Sequence, residues 1–214
     1  MKAVFEKTAG ILFQGDSVTD CDRIREDGGN LGTGYPEKAA RIYDALFPDN
    51  GIRFLNRGVS GNRVTDLLER YEEDFAALKP DLVSVLIGIN DTWRRYDSND
   101  PTAAADFEEH YFLLLHNLKR DLPDARIVII EPFLLEVTAE QRAWREDLDP
   151  KIQAVRRAAE AFADSYIPMD GIFARYIADG VKRTELAVDG VHPTPLGHAI
   201  IAEEWLRALG VFGY

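Results

Sequence analysis

The chain has 214 residues, 46% of them hydrophobic and 29% charged, a balance that suits a globular protein with a sizeable core, read as one domain over 1–214. Its 37 acidic and 25 basic residues leave a net charge of -12, which repels phosphate backbones and anionic headgroups and argues against nucleic-acid and membrane partners. The single cysteine, Cys21, excludes an internal disulfide framework and cannot by itself make a zinc site.

Met1–Thr8 lacks the apolar run of a signal peptide, and no stretch is long and apolar enough to span a bilayer. A cytoplasmic location is therefore expected. Beyond Thr8, strand-like apolar runs alternate with helical patterns. Gly10–Gln14 reads as a buried strand that stops at Gly15-Asp16-Ser17. An irregular stretch, Asp20–Pro36, follows with Gly28, Gly29, Gly32 and Gly34. A second strand, Ile52–Leu55, ends in Asn56-Arg57-Gly58-Val59-Ser60-Gly61-Asn62. Val64, Leu67, Leu68, Tyr71, Phe75 and Leu78 fall on one helical stripe.

The third strand, Leu82–Ile87, runs into Gly88-Ile89-Asn90-Asp91, and a helix carries Phe107, Tyr111, Leu114, Leu118 and Leu122. Arg126–Ile130 is the fourth strand. Pro132–Pro150, with Trp144, reads as a polar irregular connection. A helix with Ile152, Val155, Ala159 and Phe162 and a weaker strand, Tyr166–Met169, come next. The last helix opens with Thr194 as N-cap and Pro195 at its first position and is expected to bury Ala199, Ala202, Leu206 and Leu209. Nearly all-apolar strands alternating with helices predict a parallel sheet covered on both faces. The expected fold is α/β: a flavodoxin-like three-layer α/β/α sandwich, strand order 2-1-3-4-5, with its switch point between strands 1 and 3.

At such a switch point the residues after strands 1 and 3 face one another across a crevice. Ser17 follows the first strand and Asn90 the third. Closely spaced glycines after the second let backbone N–H groups point at a ligand. Asp189-Gly190-Val191-His192 adds an acid and a histidine on one tight turn. These are the parts of acyl transfer. A serine hydroxyl needs an adjacent base, and His192 can take its proton while Asp189 fixes the tautomer. The resulting oxyanion needs donors, which the N–H of Ser17, the N–H of Gly61 and the amide of Asn90 can supply. The nucleophile lies outside a Gly-x-Ser-x-Gly elbow, unlike the α/β-hydrolase arrangement.

The ordered set Gly-Asp-Ser, Gly61, Gly-x-Asn-Asp and Asp-x-x-His resembles the SGNH (GDSL) hydrolase family over Ile11–Trp205. The resemblance implies a serine esterase with catalytic Ser17, His192 and Asp189, an oxyanion hole of Ser17, Gly61 and Asn90, and neither metal nor cofactor. Gly15–Cys21, Leu31–Tyr35, Asn56–Val64 and Gly88–Tyr96 are most similar to the intracellular acetylxylan esterases of that family. Those enzymes deacetylate xylo-oligosaccharides, and several relatives are homo-oligomers, so a small acyl ester or acetylated oligosaccharide and a second copy of the chain are the expected partners. Val188, before Asp189, stands where an aromatic residue helps to wall such a pocket. The other readings are a lipolytic esterase, thioesterase or lysophospholipase on the same scaffold, and a catalytically silent carbohydrate-binding module.

Trp93, Cys21 and Arg63 are the candidate substrate contacts. Trp93 either lines the acyl or sugar site or packs in a core or subunit contact. Cys21 is expected beneath or beside the pocket. Arg63 and Arg94 are rim contacts or surface ion pairs. Asp16 is expected to hold its loop, Asp91 to bridge loops, and His198 to order the start of the last helix. Trp144 and Val211-Phe212-Gly213-Tyr214 are candidate subunit contacts.

Overall fold

The computed structural model describes residues 3–212. Five strands form one sheet: β1 (Gly10–Gly15), β2 (Arg53–Asn56), β3 (Leu82–Leu86), β4 (Arg126–Ile130) and β5 (Ser165–Ile167). All pairings are parallel, and the order is β2-β1-β3-β4-β5. The strand order is the one expected from the sequence, so β1 and β3 are neighbours and their carboxyl ends share one edge.

Ten α-helices accompany the sheet among the described residues: α1 (Ser17–Asp20), α2 (Tyr35–Leu46), α3 (Val64–Glu69), α4 (Tyr71–Asp74), α5 (Ile89–Asp97), α6 (Ala104–Asp121), α7 (Gln141–Phe162), α8 (Met169–Ala178), α9 (Arg183–Leu186) and α10 (Pro195–Ala208). Alternate strand residues divide between two cores. Ile11, Phe13, Val128 and Ile130 pack with Tyr35, Tyr43, Phe173 and Trp205 under α2, α8 and α10. Leu12, Val83, Val85, Ile127 and Ile129 pack with Leu67, Phe107, Tyr111 and Val155 under α3, α6 and α7. The strands are mostly apolar because both faces are covered.

Three local expectations are corrected. The stripe from Val64 to Leu78 is not one helix: α3 stops at Arg70, α4 at Phe75, and Ala76–Leu78 is a 3-10 turn. Val64, Leu67, Tyr71 and Phe75 all face the core, so the period reported the buried side and not the continuity of the ladder. Pro132–Pro150 is irregular only in its first part, because α7 begins at Gln141 and runs through Pro150. An interior proline costs about 3 kcal/mol, and the burial of Trp144 and Leu148 on the same face, worth about 1.5–3 kcal/mol each, offsets it. In α10, Ala199 faces solvent, and Ile200, Ile201 and Trp205 take the core instead.

The start of α10 follows the sequence closely. Thr194 Oγ1 accepts from the Gly197 N–H at 3.2 Å, and Pro195 occupies the first turn, where no N–H is needed. Trp205 then drives α10 onto the sheet. It is fully buried, and its Nε1–H donates to Ser84 Oγ of β3 at 3.1 Å. His198 fastens α10 to α2: its Nδ1 accepts from the Tyr35 N–H at 3.2 Å. Burial, with smaller contributions from Lys38 and His192, holds this imidazole neutral and pushes it down from 6.5 to about 4.

A depressed folded-state value means that the unfolded chain binds the extra proton first. His198 therefore contributes stability that is present above pH 6.5 and is lost as pH falls towards 4. In urea unfolding across that window, His198→Asn, which keeps an acceptor for Tyr35 but cannot titrate, should lose about 3 kcal/mol less than the parent, at about 1.4 kcal/mol per pKa unit. Equal losses in the two proteins would refute this assignment.

Candidate active site

The site begins where β1 ends. A Cβ on Gly15 would lie 2.2 Å from the Leu86 carbonyl oxygen and 2.4 Å from Thr19 Oγ1, so only glycine lets β1 turn this tightly against β3. Asp16 then caps α1. Its Oδ1 accepts from the Val18 N–H at 3.0 Å, and its carbonyl accepts from the Asp20 N–H at 2.8 Å. The cap puts Ser17 at the first helical position. Asp16 itself is buried, and burial pushes its carboxyl up to about 7 against the Val18 bond and the nearby His192.

His192 reaches Ser17 from the loop before α10. That loop is a tight hairpin: Ala187 and Pro193 form an antiparallel bridge, and the Val188 N–H donates to the His192 carbonyl at 2.8 Å. Gly190 takes φ +89 at its turn, with Gln141 packed against it. Asp189 Oδ1 accepts from the N–H groups of Val191 at 3.0 Å and His192 at 2.8 Å, while Oδ2 lies 2.7 Å from His192 Nδ1. Burial acts to raise the Asp189 carboxyl, but the His192 N–H, the His192 ring and the Val191 N–H outweigh it and hold the group below its ordinary value.

An ionised carboxylate can only accept, so His192 carries its proton on Nδ1 and leaves Nε2 free to accept. Nε2 lies 2.9 Å from Ser17 Oγ. Serine, histidine and aspartate thus form a continuous hydrogen-bonded line. The His192 and Asp189 side chains are 42% and 43% exposed, so the line opens directly to solvent.

The candidate donors come from the loops after β2 and β3. Asn56 ties the first of these down: its Nδ2 donates to the carbonyls of Thr19 at 2.6 Å and Leu31 at 2.9 Å, and its Oδ1 accepts from the Gly58 N–H at 2.8 Å. Gly61 takes φ +86, and nothing lies within 4 Å of where its Cβ would be. Glycine is needed there for its backbone conformation, not for space. Asn90, buried in the first turn of α5, donates from Nδ2 to the Asn62 carbonyl at 3.0 Å. The three donor-bearing segments therefore meet at the carboxyl ends of β1, β2 and β3.

The candidate substrate contacts separate. The Trp93 ring lies 5.7 Å from the His192 ring and 5.5 Å from that of Trp144, which in turn stacks on Tyr96 at 5.2 Å. Trp93 thus stands beside His192 and in an aromatic cluster with Trp144 and Tyr96. Cys21, in a left-handed conformation, places Sγ 3.4 Å from His198 Nε2 and 3.5 Å from Thr33 Oγ1, in the loop that follows the nucleophile. Arg63 gives its guanidinium to Asp100 at 2.6 Å, and Arg94 pairs with Asp97. Both arginines therefore sit in ion pairs.

Two features went unread in the sequence. Gln141 Nε2 donates to the Asp189 carbonyl at 2.6 Å and buttresses the histidine loop, a long-range contact with no local motif. Trp144 packs within the chain, its ring against those of Trp93 and Tyr96. It is buried in this chain, as is Val211, and Phe212 packs against the core; Gly213 and Tyr214 lie outside the described residues. Among the described residues, no group of three His, Cys, Asp or Glu side chains is placed to hold a metal ion, and no helix is long and apolar enough to cross a membrane.

The chain is similar to known proteins over nearly its whole length. An acetylxylan esterase of Geobacillus stearothermophilus is 37% identical over 206 residues, covering 94% of this chain and 93% of its own. The crystal structure of an acetylxylan esterase from that organism matches with a TM-score of 0.87 at 36% identity, over 96% of this chain and 95% of that one. Catalytic mutants of the same enzyme alter a serine, an aspartate and a histidine. A protein from Parabacteroides merdae assigned as a GDSL-like lipase matches with a TM-score of 0.93 at 32% identity, over 99% of this chain and 100% of that one. Residues 13–200 match the model of the GDSL-like lipase/acylhydrolase family. The chain, a serine-hydrolase fold with a five-stranded parallel sheet, belongs to the GDSL-like lipase/acylhydrolase family.

Proposed function

We propose that this protein is a serine esterase that removes acetyl groups from acetylated xylo-oligosaccharides or related neutral sugars. Ser17 is the nucleophile, His192 the general base and then acid, and Asp189 the group that orients the imidazole. The single observation that carries the reading is the line from Ser17 Oγ through His192 Nε2 and Nδ1 to Asp189 Oδ2, with gaps of 2.9 and 2.7 Å.

In acylation, His192 Nε2 accepts the Ser17 proton as Oγ attacks the acetyl carbonyl. The imidazolium formed is stabilised by Asp189. The carbonyl oxygen becomes an oxyanion, which takes hydrogen bonds from the N–H of Ser17, the N–H of Gly61 and the Asn90 amide. Collapse of the tetrahedral species breaks the ester bond, and His192 returns the proton to the leaving sugar hydroxyl. Water, deprotonated by His192, then hydrolyses the acetyl-serine and releases acetate.

The acetylated-sugar part of the reading draws on the acetylxylan esterase relative, which is alike over nearly the whole of both chains. The open triad supports it, since a bulky sugar can approach from solvent without entering a tunnel. Trp93, beside His192, offers an aromatic wall to the acyl or sugar group. Cys21 stands in the loop after the nucleophile. Arg63 is held by Asp100, which limits it to the rim. Self-association also belongs to this reading, with copies of the chain as the partner.

Ser17→Ala should abolish p-nitrophenyl acetate hydrolysis while leaving the far-ultraviolet circular dichroism unchanged; substantial residual turnover would defeat the triad assignment. Asn90→Ala should lower kcat about a hundredfold, the usual cost of one oxyanion donor. A chain-length series of aryl esters, run beside acetylated xylo-oligosaccharides, tests the substrate. Acetate should be cleaved fastest, whereas faster cleavage of octanoate would favour a lipolytic esterase.

A further inference from the structure

Asn90 and Asp91 both reach back to the same short segment after β2. Asn90 Nδ2 donates to the Asn62 carbonyl at 3.0 Å, and Asp91 Oδ2 accepts from the Val64 N–H at 3.3 Å. The two bonds bracket Arg63 and lie immediately after Gly61. The Asn62 N–H in turn closes a turn onto the Val59 carbonyl at 3.1 Å, with Gly61 inside it. Neighbouring residues on α5 therefore grip the segment, one as donor and one as acceptor.

Asp91 is a costly residue in this place. It is fully buried, and its Oδ1 has no hydrogen-bond partner among the described residues. Burial pushes the carboxyl up to about 7, against the Val64 N–H, Lys151 and Arg63, which favour its charge. Lys151 stands behind it on α7. This lysine is also fully buried, donates from Nζ to Thr92 Oγ1 at 3.3 Å and pairs with Asp147, which Arg95 reaches at 3.1 Å. The first turn of α5 is thus pinned from below by a buried cation. An apolar residue at position 91 would remove the desolvation cost but would release the α3 N-terminus.

We propose that Asp91, supported by Lys151, is a positioning residue for ester hydrolysis: it anchors the start of α3 so that the Gly61 N–H stays in register with the Asn90 amide. This inference rests on the reading of Gly61 and Asn90 as oxyanion donors. Val64 is the first residue of α3, where proline is tolerated, and Arg63 before it is already extended at φ -103, ψ 176. Val64→Pro therefore deletes the N–H that Asp91 accepts and sets the proline Cδ against Asp91 Oδ2, so the anchor is lost from the α3 side.

Kinetics of p-nitrophenyl acetate hydrolysis by the full chain, with folding followed by circular dichroism, provide the test. Asp91→Ala should lower kcat by about tenfold or more, with KM within about twofold, because the loss falls on the transition state. Val64→Pro should do the same, and the double variant should be no worse than the worse single one. Asp91→Asn, which keeps an acceptor, should recover most of the lost kcat. Parental kcat in Asp91→Ala, or strictly multiplicative losses in the double variant, would overturn the proposal. Should Asp91→Ala not fold, Val64→Pro decides, and parental kcat there overturns it. Ser17→Ala, run alongside, separates the two readings: turnover in that variant defeats the esterase mechanism, whereas an inactive Ser17→Ala beside a fully active Asp91→Ala defeats only the positioning role.

Discussion

The bond between Ser17 and His192 joins residues 175 positions apart, and most of the molecule serves to hold its two ends together. One end is set by β1, whose last glycine presses against the β3 carbonyl so that the chain turns at once into α1. The other end is set by α10, which is held by Trp205 filling the core and His198 catching the start of α2. The histidine loop lies between α9 and α10, and a hairpin bridge and Gln141 keep it from moving independently. A hydrogen bond tolerates little error in distance or angle. The precision comes from rigid elements on both sides, while the reacting groups themselves remain open to solvent.

Burial is distributed unevenly around the site. Asp189, which must stay ionised to stabilise an imidazolium, is half exposed and takes two backbone N–H bonds. Asp16 and Asp91 are buried, and their carboxyls are pushed up to about 7. Each of the two spends one oxygen on a backbone N–H at a helix start, that of Val18 in α1 or that of Val64 in α3. They bear on the segments that carry the Ser17 and Gly61 N–H groups. A carboxylate with no direct part in the chemistry can still determine where a donor points.

The strand order and the site motifs were legible because each depends on local pattern. The nearly all-apolar runs reported a sheet covered on both faces, and the polar residues just beyond β1, β2 and β3 reported the shared edge. Thr194-Pro195 announced α10 through capping chemistry that acts within one turn. What the sequence concealed depends on distant partners. Pro150 looks like a stop until Trp144 and Leu148 are seen to be buried before it. The break falls at Arg70, whose guanidinium bonds Asn62, the Arg57 carbonyl and Asp74, and none of these contacts alters the apolar period. Arg63 was open to both a rim contact and an ion pair, because nothing local reveals that Asp100 pairs with it.

In the proposed mechanism, acetyl transfer passes through a covalent ester on Ser17. Rapid acid quenching during turnover of an activated aryl acetate, followed by peptide mass spectrometry, tests this most directly. The expected result is one acetyl group per chain on the peptide that contains Ser17, formed in a burst that matches the first equivalent of released phenol. Full turnover with no acetylated Ser17 at any quench time, or with the label on Cys21 instead, would contradict it.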